Sequence, residues 1–369
     1  MGLPVTPQSL WSNAKRLSFK VKIWCTMLTT IKTLLFVMSA LNVYRVIPTL
    51  SSQITFTLFG VCGFVNMWIV IRRRKVIISA IRNVCDLALQ LNPLFQIGSR
   101  RSKMEIVLLM TAVSIIMVIQ VAYFFYQEWE KCLEILAFPL IEQSSYLSVY
   151  VWIIMFSIVM TYNIAGWTCY LLLLLCYNSY FTLGKVMNFY SKMVKGDLIR
   201  GNCTYKQLSR HISLFVDITQ KVREIDQALG AIAFFLYVTV ICNFFNTISV
   251  VLGNSKSYRT FVVHAYVMWQ SVTALITILV LTYSGSLVQK ASEDMKQDIT
   301  ECSDLVSKQS PSLKTMMNFT ILLENVKESK IAVTGWDMFT IQKGFILNVA
   351  GLVMTYGVLM YQMDVLKTE

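Results

Sequence analysis

The chain has 369 residues, 56% of them hydrophobic and only 14% charged, and a formal net charge of +13; its mean hydropathy is +0.58. An average soluble domain is about 25% charged and must present a polar exterior, so a soluble enzyme, a disordered chain and a disulfide scaffold are excluded. In a soluble protein the excess of 33 Lys and Arg over 20 Asp and Glu would suggest nucleic acid; in a membrane protein it records which loops face the cytoplasm.

Residues 1–22 lack the apolar core and cleavage site of a signal peptide and read as a cytoplasmic N-terminus. A helix needs about 20 apolar residues to cross a bilayer core of about 30 Å. A first span is expected at 23–46; it contains Lys32, which can snorkel to the inner surface. A second, at 54–71, stops at Arg72-Arg73-Arg74-Lys75. A third, at 106–127, follows Arg100, Arg101 and Lys103. Gln143–Gly184 is 42 uncharged residues, either one long helix that projects beyond the membrane or two spans with a turn near Asn163–Gly166. Uncharged runs of 29 and 30 residues, Gln227–Ser255 and Thr260–Gln289, supply spans at 229–252 and 261–289. Residues 290–343 form a further polar segment, 344–363 a last span, and 364–369 a short tail.

Loop charges arbitrate the ambiguous run. With one span at 146–184, the segments 1–22, 72–105, 185–226 and 290–343 lie on one side and carry 27 Lys and Arg, against 5 on the other. Splitting the run moves 185–226 outside and spoils this positive-inside pattern. The expectation is therefore an all-α membrane protein with seven transmembrane helices, N-terminus inside and C-terminus outside, with helical extensions into the cytoplasm. That orientation is the reverse of a G-protein-coupled receptor, and neither Asp-Arg-Tyr after the third span nor Asn-Pro-x-x-Tyr in the last is present. The sequons at Asn202 and Asn318 fall inside, where glycosylation does not occur. The nine Cys contain no CxxC pair, and only Cys132 is expected outside, so no disulfide framework follows.

The inner segments carry apolar stripes at helical spacing. One is Met295, Ile299, Cys302 and Val306; another is Leu208, Ile212, Phe215, Val222, Ile225 and Leu229, which runs into the fifth span. They serve either as a cytoplasmic layer where subunits meet, or as helices that pack within one chain or lie on the bilayer. Ser310-Pro311 reads as an N-cap with proline at N1. No metal-ligand cluster and no phosphate loop is present, and no carboxylate lies deep in a clear span, so neither an enzyme nor a proton-coupled transporter is expected; no cofactor and no nucleic acid is implied.

The last span carries Asn348, Thr355 and Gln362, each seven apart. Seven residues at about 100° each drift only about 20° per repeat, so these side chains form one narrow polar stripe, with Gly351 and Val358 on the same face. A polar stripe must face protein or water. It either lines an ion pathway in a symmetric ring or makes a helix–helix contact. Asp364 follows, either as a ring of charge concentrating cations at the outer mouth or as the first solvated residue.

Thr355-Tyr356-Gly357-Val358-Leu359-Met360-Tyr361-Gln362-Met363 resembles the TYhhhhhQF signature (h, hydrophobic) that ends the last span of insect gustatory receptors; eight of nine positions fit. Gly335-Trp336-Asp337-Met338-Phe339 resembles the family's approach to that helix. The motif carries Thr355, Tyr356 and Gln362, and the architecture covers the whole chain. The resemblance implies a tetrameric ligand-gated cation channel in the plasma membrane of sensory neurons. Its seventh helices line the pore, the cytoplasmic ends of helices four to seven assemble it, and the first six helices enclose a pocket for a small tastant. It implies partners in membrane lipid, permeating cations and other copies or other gustatory receptors. Gln362 and Met363 fall at the gate, where methionine replaces the usual Phe and is thinner and more flexible. Pocket candidates are the aromatic and polar residues of the outer helix halves: Tyr123, Tyr150, Trp152, Phe245, Asn246, His264, Tyr266, Trp269 and Gln270. The alternative is a non-conducting seven-span ligand-binding receptor or an accessory subunit.

Overall fold

The computed structural model describes residues 50–92, 146–200, 204–252, 261–308 and 312–365, with isolated helical positions at Thr30, Thr33, Leu34, Val37, Thr111 and Ile115. Most of the first and third predicted spans, with Lys32 and Tyr123, lies outside the described residues, as do Cys132, Asn202, Ser310 and Pro311.

Helix α1, Leu50–Leu91, is 42 residues long, about 63 Å at 1.5 Å per residue and thus about twice a bilayer core. The run Arg72–Lys75 ends its apolar stretch but not the helix, because Arg and Lys are good helix formers. Past that boundary the buried positions narrow to one face, Ile77, Ala80, Val84 and Leu87.

Helix α2, Tyr146–Ile199, is a single unbroken helix of 54 residues. There is no turn at Asn163–Gly166. Its C-terminal half buries Cys176, Tyr180, Leu183, Met187, Tyr190 and Val194, whose alternating spacing of four and three is the seam of a packed helix pair.

Helix α3, Tyr205–Leu252, runs 48 residues from the inner segment into the fifth predicted span. It is the hub of the described structure, packing against α1, α2, α4, α6, the hairpin and α7. Helix α4, Phe261–Glu301, continues past the predicted end of the sixth span. A short α5, Ser303–Lys308, and α6, Leu313–Glu328, come next. Then a two-stranded hairpin, β1 Thr334–Gly335 and β2 Phe339–Thr340, leads into α7, Gly344–Val365.

Both predicted inner stripes are used inside the chain. Met295, Ile299, Cys302 and Val306 are buried, as are Leu208, Phe215, Val222, Ile225 and Leu229, with Ile212 partly so. Of the two readings, intrachain packing holds for these faces. Polar ties cross the same region. Lys195 Nζ of α2 lies 2.6 Å from Asp298 Oδ1 of α4, and Ser191 Oγ donates to Asp298 Oδ2 at 2.7 Å. Burial opposes ionisation of Asp298, but these partners outweigh it and hold the carboxyl below its ordinary range. The predicted start of α6 needs a correction. Its cap is Ser312, not Ser310: the Ser312 hydroxyl accepts from the Thr315 N–H at 3.3 Å, satisfying a free donor of the first turn.

By length and composition, three helices among the described residues can cross a membrane, Gly166–Ile199, Tyr205–Val251 and Val267–Glu301, and Gly344–Leu359 is a shorter apolar helix.

Candidate pore helix, strap and ligand cleft

Helix α7 has two unlike faces. Phe345, Ile346, Val349, Val353 and Tyr356 turn toward the chain, and Val349 is only 4% exposed. Tyr356 stacks on Phe245 of α3 with ring centroids 4.1 Å apart, its hydroxyl 3.4 Å from Ser249 Oγ. Phe345 stacks on Phe339 at 4.2 Å and meets Tyr237 edge-on at 4.8 Å. On the other side Asn348, Gly351, Thr355, Val358 and Gln362 are all exposed. The sequence-derived stripe is thus one face of a real helix, and no element among the described residues covers it. Thr355 donates its hydroxyl to Gly351 O at 2.9 Å, which leaves its oxygen lone pairs outward. Met363 and Asp364 lie in the last turns of α7, but their side chains are outside the described set.

Between α6 and α7 the hairpin acts as a strap across α3 and α4. Its turn holds Trp336 and Asp337 at φ 53° and 57°, left-handed values that cost non-glycine residues about 1–3 kcal/mol each. Three groups pin it. Asp226 Oδ1 of α3 accepts from Thr334 N at 2.6 Å, and Oδ2 accepts from Thr334 Oγ1 at 2.9 Å. Trp336 N donates to Gly230 O at 3.1 Å. The Trp336 ring packs against Phe234 and Phe235. Burial raises the Asp226 carboxyl above its ordinary value, while the two Thr334 donors pull the other way. The close approach requires glycine on the helices: a Cβ on Gly230 would lie 3.3 Å from Thr334 O and Trp336 N, and one on Gly285 would lie 2.9 Å from Ile341 Cβ.

A cleft opens where α1, α2, α3 and α4 converge. Phe59, Cys169 and Tyr170 form one wall; Leu236, Thr239, Val240 and Asn243 another; Trp269, Gln270, Thr273 and Thr277 the third. It holds about 40 Å³, room for a few waters at most, so any larger occupant would have to spread the walls. Of the predicted pocket residues, the structure brings together Trp269, Gln270 and Asn246, whose Nδ2 donates to Gln270 Oε1 at 3.1 Å. Phe245 is elsewhere, in the seam with Tyr356. Tyr150, Trp152, His264 and Tyr266 lie on α2 and α4, but their side chains are outside the described set, and Tyr123 is outside it altogether. The residues sequence reasoning missed, Tyr170, Thr239, Asn243, Thr273 and Thr277, are mid-span polar groups at helical spacing. That spacing is the signal the sequence offers for them. Among the described residues, no cluster of His, Cys, Asp and Glu could hold a metal ion.

Residues 5–367 match the family model described as "7tm Chemosensory receptor". Two solved structures share the fold. The insect olfactory receptor OR5 from Machilis hrabei is 13% identical with a TM-score of 0.56, covering 94% of this chain and 90% of that one. The same receptor in complex with eugenol is 10% identical over the aligned region with a TM-score of 0.58, covering 94% and 91%. A comparison with curated proteins returned no match. With nearly its whole length matched, the chain belongs to the insect 7tm chemosensory receptor family.

Proposed function

We propose that the protein is a gustatory-type chemoreceptor: a non-selective cation channel built from four copies and opened by a small tastant, with α7 of each copy lining the pathway. One observation carries the reading. α7 turns Asn348, Thr355, Val358 and Gln362 away from its own chain while its opposite face is fastened to α3 and α4. A polar stripe against lipid is costly; a symmetric ring surrounds it with water and permeating cations. Gln362 and Met363 then form the gate, and Asp364 sits at the outer mouth. The N-terminus is inside, and the protein resides in the plasma membrane of sensory neurons.

The inner stripes are already spent within the chain, so contact between copies falls to other faces of the inner region. Leu313 and Met317 of α6, 79% and 60% exposed, continue to Ile321 one turn on and form such a face. The cleft is the ligand site, with Trp269, Gln270 and the neighbouring Asn246. Movement of its α3 wall reaches α7 through the Phe245–Tyr356 stack. A receptor of the same fold in complex with eugenol supports a small organic ligand here.

The test is current recording from cells expressing the chain, with cysteine placed singly at Asn348, Thr355, Val358 and Gln362. A charged thiol reagent is expected to block ligand-evoked current at these sites. Unchanged conductance and gating at all four overturns the pore assignment. Silence alone, with current only beside a second family member and no effect of the four cysteines, makes the chain an accessory subunit.

A further inference from the structure

We infer that the cleft selects a small, predominantly apolar molecule carrying a hydrogen-bond acceptor, which the Trp269 indole N–H binds, and rejects polyols such as sugars. This rests on the reading of the cleft as the ligand site and adds the chemical class of its occupant.

The argument is an inventory of polar atoms. The lining includes several hydroxyls, and they are already engaged. Thr239 Oγ1 donates to Phe235 O at 2.8 Å, Thr273 Oγ1 to Gln270 O at 2.9 Å, and Thr277 Oγ1 to Thr273 O at 2.8 Å. The Tyr170 hydroxyl lies against Thr273. The Gln270 carbonyl accepts from Asn246. By contrast, Trp269 Nε1 is buried and has no partner. An indole nitrogen only donates, and a buried donor without an acceptor is a standing penalty that a ligand oxygen relieves. The half-buried amide of Asn243 is the other polar group on the lining without a protein partner, open to water or to a second ligand atom. The remaining walls are Phe59, Leu236, Val240 and Ala274, with the ring faces of Tyr170 and Trp269.

A ligand entering here meets apolar surface and one or two polar atoms. A ketone, ester or aryl ether fits: its carbon frame replaces water on the walls and its oxygen completes Trp269. A sugar does not fit, because each of its many hydroxyls stripped of water needs partners, and the lining offers few: the threonine protons are spent on helix carbonyls, which leaves only their oxygen lone pairs among otherwise apolar walls. The small volume points the same way, since fewer heavy atoms need less spreading of the helices.

The test uses the full-length protein in lipid nanodiscs and three probes: acetophenone, its hydrocarbon counterpart ethylbenzene, and sucrose. Binding is read by competition and by ligand-dependent shift of the thermal midpoint. Acetophenone is expected to bind about tenfold more tightly than ethylbenzene, the worth of one hydrogen bond to a buried donor, and sucrose not to bind. Trp269→Phe keeps an aromatic wall without the N–H and is expected to abolish the ketone's advantage, so that acetophenone and ethylbenzene bind the variant equally. A ketone advantage that survives in Trp269→Phe, equal binding of ketone and hydrocarbon by the unsubstituted protein, tighter binding of sucrose, or binding of none of the three overturns the inference. If the variant fails to fold, the ketone–hydrocarbon comparison on the unsubstituted protein still decides. Binding in the expected order without ligand-evoked current in any subunit combination refutes the channel reading and leaves this inference standing.

Discussion

Asp226 is one carboxylate holding a strap that joins three helices, so its removal is a direct test of how α7 is anchored. In Asp226→Ala, Thr334 loses the acceptor of its N–H at 2.6 Å and of its hydroxyl at 2.9 Å. A hydrogen bond to a charged group is worth about 1.5–3 kcal/mol and a neutral one about 0.5–1.5 kcal/mol. Two opposing effects reduce the sum. The carboxylate is itself partly desolvated, as its raised pKa records, and Thr334 is only half-buried, so water reaches part of what is freed. A net loss of about 1–3 kcal/mol remains, concentrated at the hairpin. The left-handed turn at Trp336 and Asp337 then has one restraint fewer and relaxes. The assay is thermal unfolding of the purified full-length protein followed by tryptophan fluorescence, with Trp336 replaced by Phe in a parallel sample to isolate its signal. A midpoint lowered by a few degrees, with an early Trp336 transition, is expected. Asp226→Asn keeps one carbonyl acceptor for the Thr334 N–H and is expected to lose less. Thr334→Val combined with Asp226→Ala is expected to be less than additive, because both remove the same bond. An unchanged midpoint and unchanged Trp336 emission in Asp226→Ala would refute the strap as an energetic link.

Other outcomes follow from the same geometry. Gly285→Ala places a methyl 2.9 Å from Ile341 Cβ and 3.3 Å from Val333 Cγ2, and is expected to cost about 1–3 kcal/mol by overpacking, read by the same melt. Tyr356→Phe retains the stack on Phe245 and gives up only a 3.4 Å hydroxyl contact, so stability and current change little; Tyr356→Ala removes the ring, costs about 2–4 kcal/mol and alters gating. His211 is buried with Nε2 3.1 Å from Asp197 and no partner for Nδ1. Burial lowers its pKa below the ordinary 6.5, Arg210 adds to this, and Asp197 only partly opposes it. The unfolded chain therefore binds a proton more readily than the folded one. Stability is full above pH about 6.5 and falls as pH drops from there toward the folded pKa. His211→Gln is expected to flatten that stretch of the melt–pH profile, and an unaltered slope would refute the linkage.

Several features of this protein are properties of a chain's own periodicity, and periodicity is written in the sequence. The unbroken helix over 146–184 followed from the charges of its flanking loops. The stripe Asn348–Thr355–Gln362 needed only a repeat of seven. The inner rows from Leu208 and Met295 needed only helical spacing, whereas the motif around Tyr356 was legible by its resemblance to a family signature. What spacing does not contain is the partner. Whether the inner rows met another subunit or their own chain was open until long-range packing buried them under neighbouring helices. Phe245 looked like a pocket aromatic and instead holds Tyr356, because a residue's helix face gains meaning only from the helix set against it. The strap was equally hidden, since Asp226 and Thr334 lie 108 positions apart and neither belongs to a local pattern. The cleft emerged for the same reason: its threonine hydroxyls bond within their own helices while the Trp269 indole N–H is buried without a partner, and which residues share the cleft is a fact about four helices together. Local repeat fixes which side of a helix is polar; only the packed bundle decides what that side meets.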